Sequence, residues 1–192
     1  SLVSMLPSVE ELHLNELDLR RREKLKLLFA GATITGFDGA MLTSLAAPEL
    51  RPTLILMNPP FSRSQGRGVD EYAAVRHLRA ALSKLSPGGR VVAIMPDWFG
   101  PNARMRDLFE TTLRDVSVQT SVRLEKCYLK HGAPIAVRLF VIDKVPGKTI
   151  PATIQRTSIR DLIGALTIHD RAVLGAPLAP APKRSSSPSS FT

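Results

Sequence analysis

The sequence is poor in the features that mark secreted and membrane proteins. Cys127 is the only cysteine among 192 residues, so neither an internal disulfide nor a cysteine-based metal cluster can form. No stretch reaches the roughly 20 apolar residues that a membrane-spanning helix needs, and no signal-peptide pattern opens the chain. These absences predict a protein of a reducing, cytoplasmic compartment.

Positive charge is in excess, because 26 lysines and arginines outnumber 17 acidic residues and give a formal net charge of +9. Basic side chains bind polyanions by releasing condensed counterions, so this excess favours a nucleic-acid partner. A solvated basic surface is the alternative. The basic residues cluster at 20–26, at Arg63 and Arg67, and at Lys183 and Arg184.

Hydrophobic patterns and turn signals alternate between strands and helices over most of the chain. This alternation predicts an α/β fold with a mostly parallel sheet, helices on both faces and a C-terminal antiparallel hairpin. We expect one domain over 1–173 and a disordered basic tail rich in Pro, Ser and Ala over 174–192. The predicted strands are 11–15, 32–37, 51–57, 90–95, 116–124, 136–143 and an edge strand at 150–154. The predicted helices are 19–29 (with Leu25, Leu28 and Phe29 inward), 41–47, 70–85 (with Tyr72, Val75, Leu78, Leu82 and Leu85 on one face), 102–113 and 158–166.

The strand at 51–57 ends in a stretch that we call the Pro-Pro shelf, Asn58-Pro59-Pro60-Phe61. Two prolines fix φ and remove two backbone donors, so they end the strand in a rigid platform. Open α/β sheets bind their ligands at this end of their strands. Asn58 offers an amide and Phe61 a stacking face. The alternative is an ordinary turn in which Asn58 bonds local backbone.

The Pro-Pro shelf resembles the N-P-P-F/Y motif of class I S-adenosylmethionine-dependent amino-methyltransferases, most of which methylate adenine N6 in DNA. The resemblance covers residues 9–145 and implies a Rossmann-like sheet, with S-adenosyl-L-methionine as cofactor. It implies that Asn58 and the Pro59 carbonyl accept hydrogen bonds from the target amino group and that Phe61 stacks on a flipped base. Arg63 and Arg67 would flank that base.

The same resemblance assigns a cofactor side to the site. Glu16 matches the acid that binds the cofactor ribose, with Asp18 in reserve, because a carboxylate accepts two hydrogen bonds without donating. Asp38 matches the group that contacts the cofactor adenine, and Phe37 would pack on that ring. The alternatives are a surface ion pair for Glu16, an Asp-Gly turn for Asp38 and core packing for Phe37. Asn58 would lie between the cofactor and the target.

Three further stretches narrow the resemblance to one group within this family. They are 15–18, Lys130-His131-Gly132 and 138–144. Together they resemble the methyltransferase domain that precedes a strawberry-notch-type helicase in large bacterial, often plasmid-borne, proteins. This implies DNA and a helicase domain as partners. His131 is a candidate base, but a structural role in a loop is the commoner use of a lone histidine, and amino-methyltransferases need no strong base.

The sequence departs from the family pattern at its beginning. Nothing before Glu11 contains a strand followed by clustered glycines, the loop that lets backbone approach the cofactor. We therefore expect a sheet that lacks its first strand and has an open edge for pairing with another segment or a second copy. The alternative function is a catalytically inactive methyltransferase-fold remnant that binds nucleic acid or docks a partner.

Overall fold

The computed structural model describes residues 9–64, 68–125, 135–145, 150–156 and 162. Strands and helices alternate along most of these residues, as predicted. Five predicted features lie outside the described part. They are the helix 158–166 (apart from Leu162), the loop with His131, the side chain of Arg63, Arg67 and the tail. The strands are β1 His13–Asn15, β2 Thr33–Thr35, β3 Leu54–Met57, β4 Arg63–Ser64, β5 Gly68–Val69, β6 Arg90–Pro96, β7 Ser117–Leu124, β8 Val137–Asp143 and β9 Ile154–Arg156. The helices are α1 Leu19–Leu28, a 3-10 turn Gly39–Met41, α2 Leu42–Leu45, α3 Ala73–Lys84 and α4 Arg106–Thr112.

The larger sheet has five strands in the order β3-β6-β8-β7-β9. β3 runs parallel to β6 and β9 parallel to β7, whereas β8 is antiparallel to both of its neighbours. The predicted antiparallel pair at the C-terminal side is therefore confirmed as β7 and β8. The added edge strand also exists, although it lies at Ile154–Arg156 rather than at 150–154.

The strands β1 and β2 form a separate parallel pair, with Leu14 opposite Ile34. Among the described residues, no strand pairs with the free edge of β3. All four residues of β3 are apolar, yet none is fully buried and Leu56 is 37% exposed. In contrast, five of the seven residues of its partner β6 are buried. The edge strand β3 is thus more exposed than its central neighbour β6.

The main core lies between the larger sheet and the helices α3 and α4. The apolar face of α3 is as predicted for Val75, Leu78, Leu82 and Leu85, which are buried in the core. Tyr72 does not join them, because it precedes the helix and is 46% exposed. Three rings, Phe99, Phe109 and Phe140, pack edge-to-face or tilted at the centre.

The prediction for α1 is wrong at Leu28, which is 72% exposed, while Leu25 and Phe29 are half-buried. The reason is that α1 lies against the small β1–β2 sheet, which covers little of its surface, and α1 contains no fully buried residue.

The longest described helix, α3, has 12 residues, and no described helix combines the length and apolarity needed to cross a membrane.

A buried ion pair joins β6 to β8. Arg90 Nε donates to Asp143 Oδ1 at 2.7 Å and Nη2 donates to Oδ2 at 2.9 Å, so the contact is bidentate. Both residues are buried and lie opposite each other in the antiparallel register. Such a pair is sensitive to the loss of one partner, because the remaining charge stays in a poorly solvated place.

We expect Asp143→Ala to lower the free energy of unfolding by about 3–5 kcal/mol, since it leaves the Arg90 guanidinium buried without its carboxylate. Urea unfolding followed by circular dichroism measures the change. Glu110→Ala is the matched control, because it removes an exposed carboxylate that pairs with Arg106, and its effect should be much smaller. Equal losses in the two variants would contradict the prediction.

Candidate functional site

In the Pro-Pro shelf, Pro59 and Phe61 are anchored by packing, whereas Asn58 and Pro60 are exposed. Pro59 is buried, and Phe61 packs against both the main core and a smaller cluster that includes Val122. Asn58 is exposed, and its side chain makes no hydrogen bond to any residue that the structure describes. Within those residues, the amide is therefore not used by local backbone.

Helix α3 shows where the end of β2 lies relative to the shelf. The helix starts shortly after the shelf, and its last residue, Lys84, donates to the carbonyl oxygens of Ala46 and Ala47. Its first half contacts Asp38, three residues after the end of β2, because His77 Nε2 lies 3.0 Å from Asp38 Oδ1. The segment 38–47 therefore runs along α3, and the carboxyl end of β2 lies level with that of β3.

Because β1 is parallel to β2, the residue after β1 lies at the same edge. Glu16 N–H donates to the Thr35 carbonyl at 3.1 Å, which holds the two strand ends together. Since α3 begins beyond the carboxyl end of β3, the contact of its residue His77 with Asp38 indicates that Glu16, Phe37 and Asp38 lie on the same side of the molecule as the shelf.

Glu16 uses one carboxylate oxygen locally. Its Oε1 accepts from the Asp18 N–H at 2.9 Å, and no ion pair forms between Glu16 and another described residue. Asp18 in turn caps α1 by accepting from the Arg21 N–H at 2.9 Å, so Asp18 has a structural role. The second carboxylate oxygen of Glu16 has no partner among the described residues.

Asn15 holds the strand ends and was missed as a positioning residue by the sequence analysis. Its Nδ2 donates to the Phe37 carbonyl at 2.9 Å, while its Oδ1 accepts from the Phe37 N–H at 3.2 Å and from Thr35 Oγ1 at 2.9 Å. These bonds fix the backbone of Phe37, whose side chain is half-buried. The available signal was a polar residue that directly precedes Glu16 at a strand end.

Asp38 is held from two sides through one oxygen. Its Oδ1 accepts from the Ala40 N–H at 3.0 Å and lies 3.0 Å from His77 Nε2. The ring of His77 packs so closely that a Cβ on Gly39 would lie 2.7 Å from its Nδ1. Asp38 Oδ2 makes no hydrogen bond with a described residue.

No protein-family model matches the sequence, and no curated protein matches it either. Solved structures do match. One is a modification subunit of a candidate type I restriction enzyme from Vibrio vulnificus YJ016, with a TM-score of 0.57 and 19% identity over 82% of this chain and 41% of that chain. Another is a DNMT2 variant from Spodoptera frugiperda, with a TM-score of 0.51 and 19% identity over 81% of this chain and 50% of that one.

A third structure, the SMU.776 methyltransferase candidate complexed with SAH, has a TM-score of 0.51 and 14% identity over 71% of this chain and 40% of that chain. The chain has a Rossmann-like methyltransferase fold. It spans half or less of the length of these three proteins. At these identities the likeness concerns the fold.

Within this fold, the acid that follows β6 is Asp97, and its carboxylate is engaged in structural hydrogen bonds. Asp97 accepts two hydrogen bonds from Arg123, at 2.8 Å and 2.9 Å, and its carbonyl accepts from Arg138 Nε at 2.8 Å. The hydrogen bond with Arg123 holds the pKa of Asp97 below its usual value. We therefore do not assign Asp97 a role as an acid or base.

His77 makes the stability of the methyltransferase fold sensitive to pH. Burial lowers the pKa of His77 below 6.5, an effect that Asp38 opposes and Arg76 reinforces. The unfolded chain therefore takes up the proton first, so stability should fall as the pH drops below 6.5 towards the folded-state pKa. We expect His77→Gln to reduce this loss, as measured by urea unfolding between about pH 7.5 and 5.

His13→Gln is the control for this measurement, because it removes a more exposed imidazole on β1. If the two variants change the pH dependence of unfolding equally, the role of burial at His77 is wrong.

Proposed function

We propose that this chain is the S-adenosylmethionine-dependent methyl-transfer part of an enzyme that acts on an exocyclic amino group, namely adenine N6 in DNA. The observation that carries the proposal is the exposed and unbonded amide of Asn58, fixed by a buried proline at the same edge as Glu16 and Asp38. The fold is that of methyltransferases.

The cofactor side would be formed by the carboxylate oxygens of Glu16 and Asp38 that have no partner among the described residues. The free oxygen of Glu16 would accept from the ribose hydroxyls, and Asp38 Oδ2 would accept from the adenine amino group of the cofactor. Phe37 would pack on the adenine ring. The structural neighbour that is complexed with SAH supports this cofactor class.

The shelf would bind the target nitrogen. Asn58 Oδ1 and the Pro59 carbonyl would accept the two N–H groups, which directs the nitrogen lone pair away from the target ring, and Phe61 would stack on the base. When bound, the cofactor supplies an electrophilic methyl group. The target nitrogen, held by Asn58 and the Pro59 carbonyl, would take up this methyl group and would release one amino proton to solvent. Positioning provides most of the rate, so no strong base is needed.

Nucleic acid is the favoured substrate because of the net charge of +9. One neighbour is a modification subunit of a restriction enzyme, which supports DNA. The second candidate function is a methyltransferase-fold module that binds nucleic acid without turnover. It is favoured by one observation, because β1 and β2 lie in a different sheet from β3, and no described strand pairs with the outer edge of β3.

Calorimetric titration with S-adenosylmethionine separates the two candidates. If the proposal holds, Glu16→Ala should weaken binding about 10- to 100-fold, since it removes a hydrogen bond to a charged acceptor. Absence of any binding by the unaltered chain, together with salt-sensitive DNA binding, would instead support the second candidate.

Asn58→Ala should reduce methyl transfer from labelled cofactor to adenine-containing DNA by at least about 100-fold, because it removes an acceptor that acts on the reacting nitrogen. Its affinity for the cofactor should change little. Gln155→Ala is the matched control, since it removes an exposed amide on β9 at the opposite end of the sheet. Transfer that survives in Asn58→Ala would refute the role of the amide.

A further inference from the structure

Trp98 is the only tryptophan of the chain, and it lies close to the Pro-Pro shelf. Since Met57 is opposite Ala93 in the parallel register, the shelf leaves the sheet alongside the last residues of β6. Trp98 follows β6 by two residues, is half-buried and packs on the main core, which Phe61 also contacts. A half-buried ring at the end of a strand leaves part of its surface for a ligand.

Tyr72 extends this aromatic surface towards solvent. Its ring packs edge-to-face on Trp98, with the centroids 6.1 Å apart and the planes at 81°. Tyr72 is 46% exposed, although the neighbouring Ala73 and Ala74 are fully buried. A large exposed ring directly before a buried helix is not explained by core packing.

Asp70 fixes the position of Tyr72 beside the shelf. The Asp70 N–H donates to the Ser62 carbonyl at 2.9 Å, so the chain returns to the residue that follows Phe61. Asp70 Oδ1 accepts from the Tyr72 N–H at 3.1 Å, and its carboxylate also pairs with Arg76. The ring therefore projects from an ordered backbone rather than from a free loop.

The loop that follows Trp98 carries an exposed cation. The loop after Trp98 closes on itself, because the Met105 N–H donates to the Trp98 carbonyl at 3.3 Å. Arg104, the residue before Met105, is exposed and makes no ion pair with a described residue. Two rings and an unpaired guanidinium on an ordered surface suit an unstacked base and its phosphate.

We propose that Tyr72 and Trp98 form a second stacking surface that holds an unpaired base of the nucleic acid, with Arg104 on the phosphate. The proposal rests on the proposed function, because it assigns an additional base-binding site next to the shelf. An exposed aromatic pair could also bind an apolar protein segment, but the net charge of +9 and the position of Arg104 favour a polyanion.

The emission of Trp98 provides a direct test, since no other tryptophan contributes to it. The full chain is titrated with a short single-stranded DNA that contains adenines and with the same strand carrying abasic sites. The expected result is saturable quenching by the base-containing strand and little quenching by the abasic strand. Equal quenching by both strands would overturn the proposal, as would no quenching by a strand that binds.

Variants then assign the residues, with binding followed by the anisotropy of labelled single-stranded DNA. Tyr72→Ala and Trp98→Ala should each weaken binding about 5- to 100-fold, whereas Tyr72→Phe and Trp98→Phe should stay close to the unaltered chain. Arg104→Ala should lower the salt dependence of binding by about one phosphate contact. Arg114→Ala is its control, because Arg114 is an exposed arginine beyond the other end of α4.

The two proposals can fail separately. If Tyr72→Ala, which alters an exposed ring, binds the strand as tightly as the unaltered chain while retaining its circular dichroism, the stacking surface is refuted even if methyl transfer is intact. If base-dependent quenching is seen without cofactor binding, the stacking surface is supported and the transferase proposal fails.

Discussion

The parallel pairing of β3 with β6 is the contact on which the candidate site depends. β6 is buried between β3 and β8 and is fastened to β8 by the ion pair of Arg90 with Asp143. Its register with β3 fixes where the Pro-Pro shelf leaves the sheet. It also fixes the start of the segment that carries Trp98. Helix α3 packs on the same strand, so a shift of β6 would move both sides of the site together.

The pairing of β3 with β6 sets the position of the candidate site, and short-range polar contacts then fix the backbone at its strand ends. Three polar residues lie at or shortly after the ends of strands, namely Asn15, Asp38 and Asp70. Each accepts a hydrogen bond from a nearby backbone N–H through a side-chain oxygen. Such bonds are strong at strand ends, where the backbone has lost its ladder partners. Among the described residues, the second oxygen of Asp38 and the amide of Asn58 make no hydrogen bond, and the ring of Tyr72 is 46% exposed. These are the groups that the two proposals assign to ligands.

The N-terminal part of the molecule has a different character from the core. Leu27 and Leu28 of α1 are 85% and 72% exposed, and Leu56 of β3 adds apolar surface at the open sheet edge. Apolar surface such as Leu56, on a strand edge that no described strand pairs with, is a place for association. The separation of β1 and β2 from the larger sheet means that the cofactor side and the target side of the proposed site are joined mainly through α3.

The sequence by itself determined the alternation of strands and helices, the antiparallel pair near the C-terminal side and the Pro-Pro shelf. These features depend on local rules, since hydrophobic period and proline chemistry act over a few residues. The small ribbon of β4 and β5 was missed, because two-residue strands leave no periodic pattern. Only the tertiary structure decided that β1 and β2 form their own sheet, that Leu28 faces solvent, and that Asp38 meets His77 and Tyr72 meets Trp98. The residues of the last two contacts are far apart in the sequence. They meet because of how α3 packs in the tertiary structure, and no local sequence pattern encodes that packing.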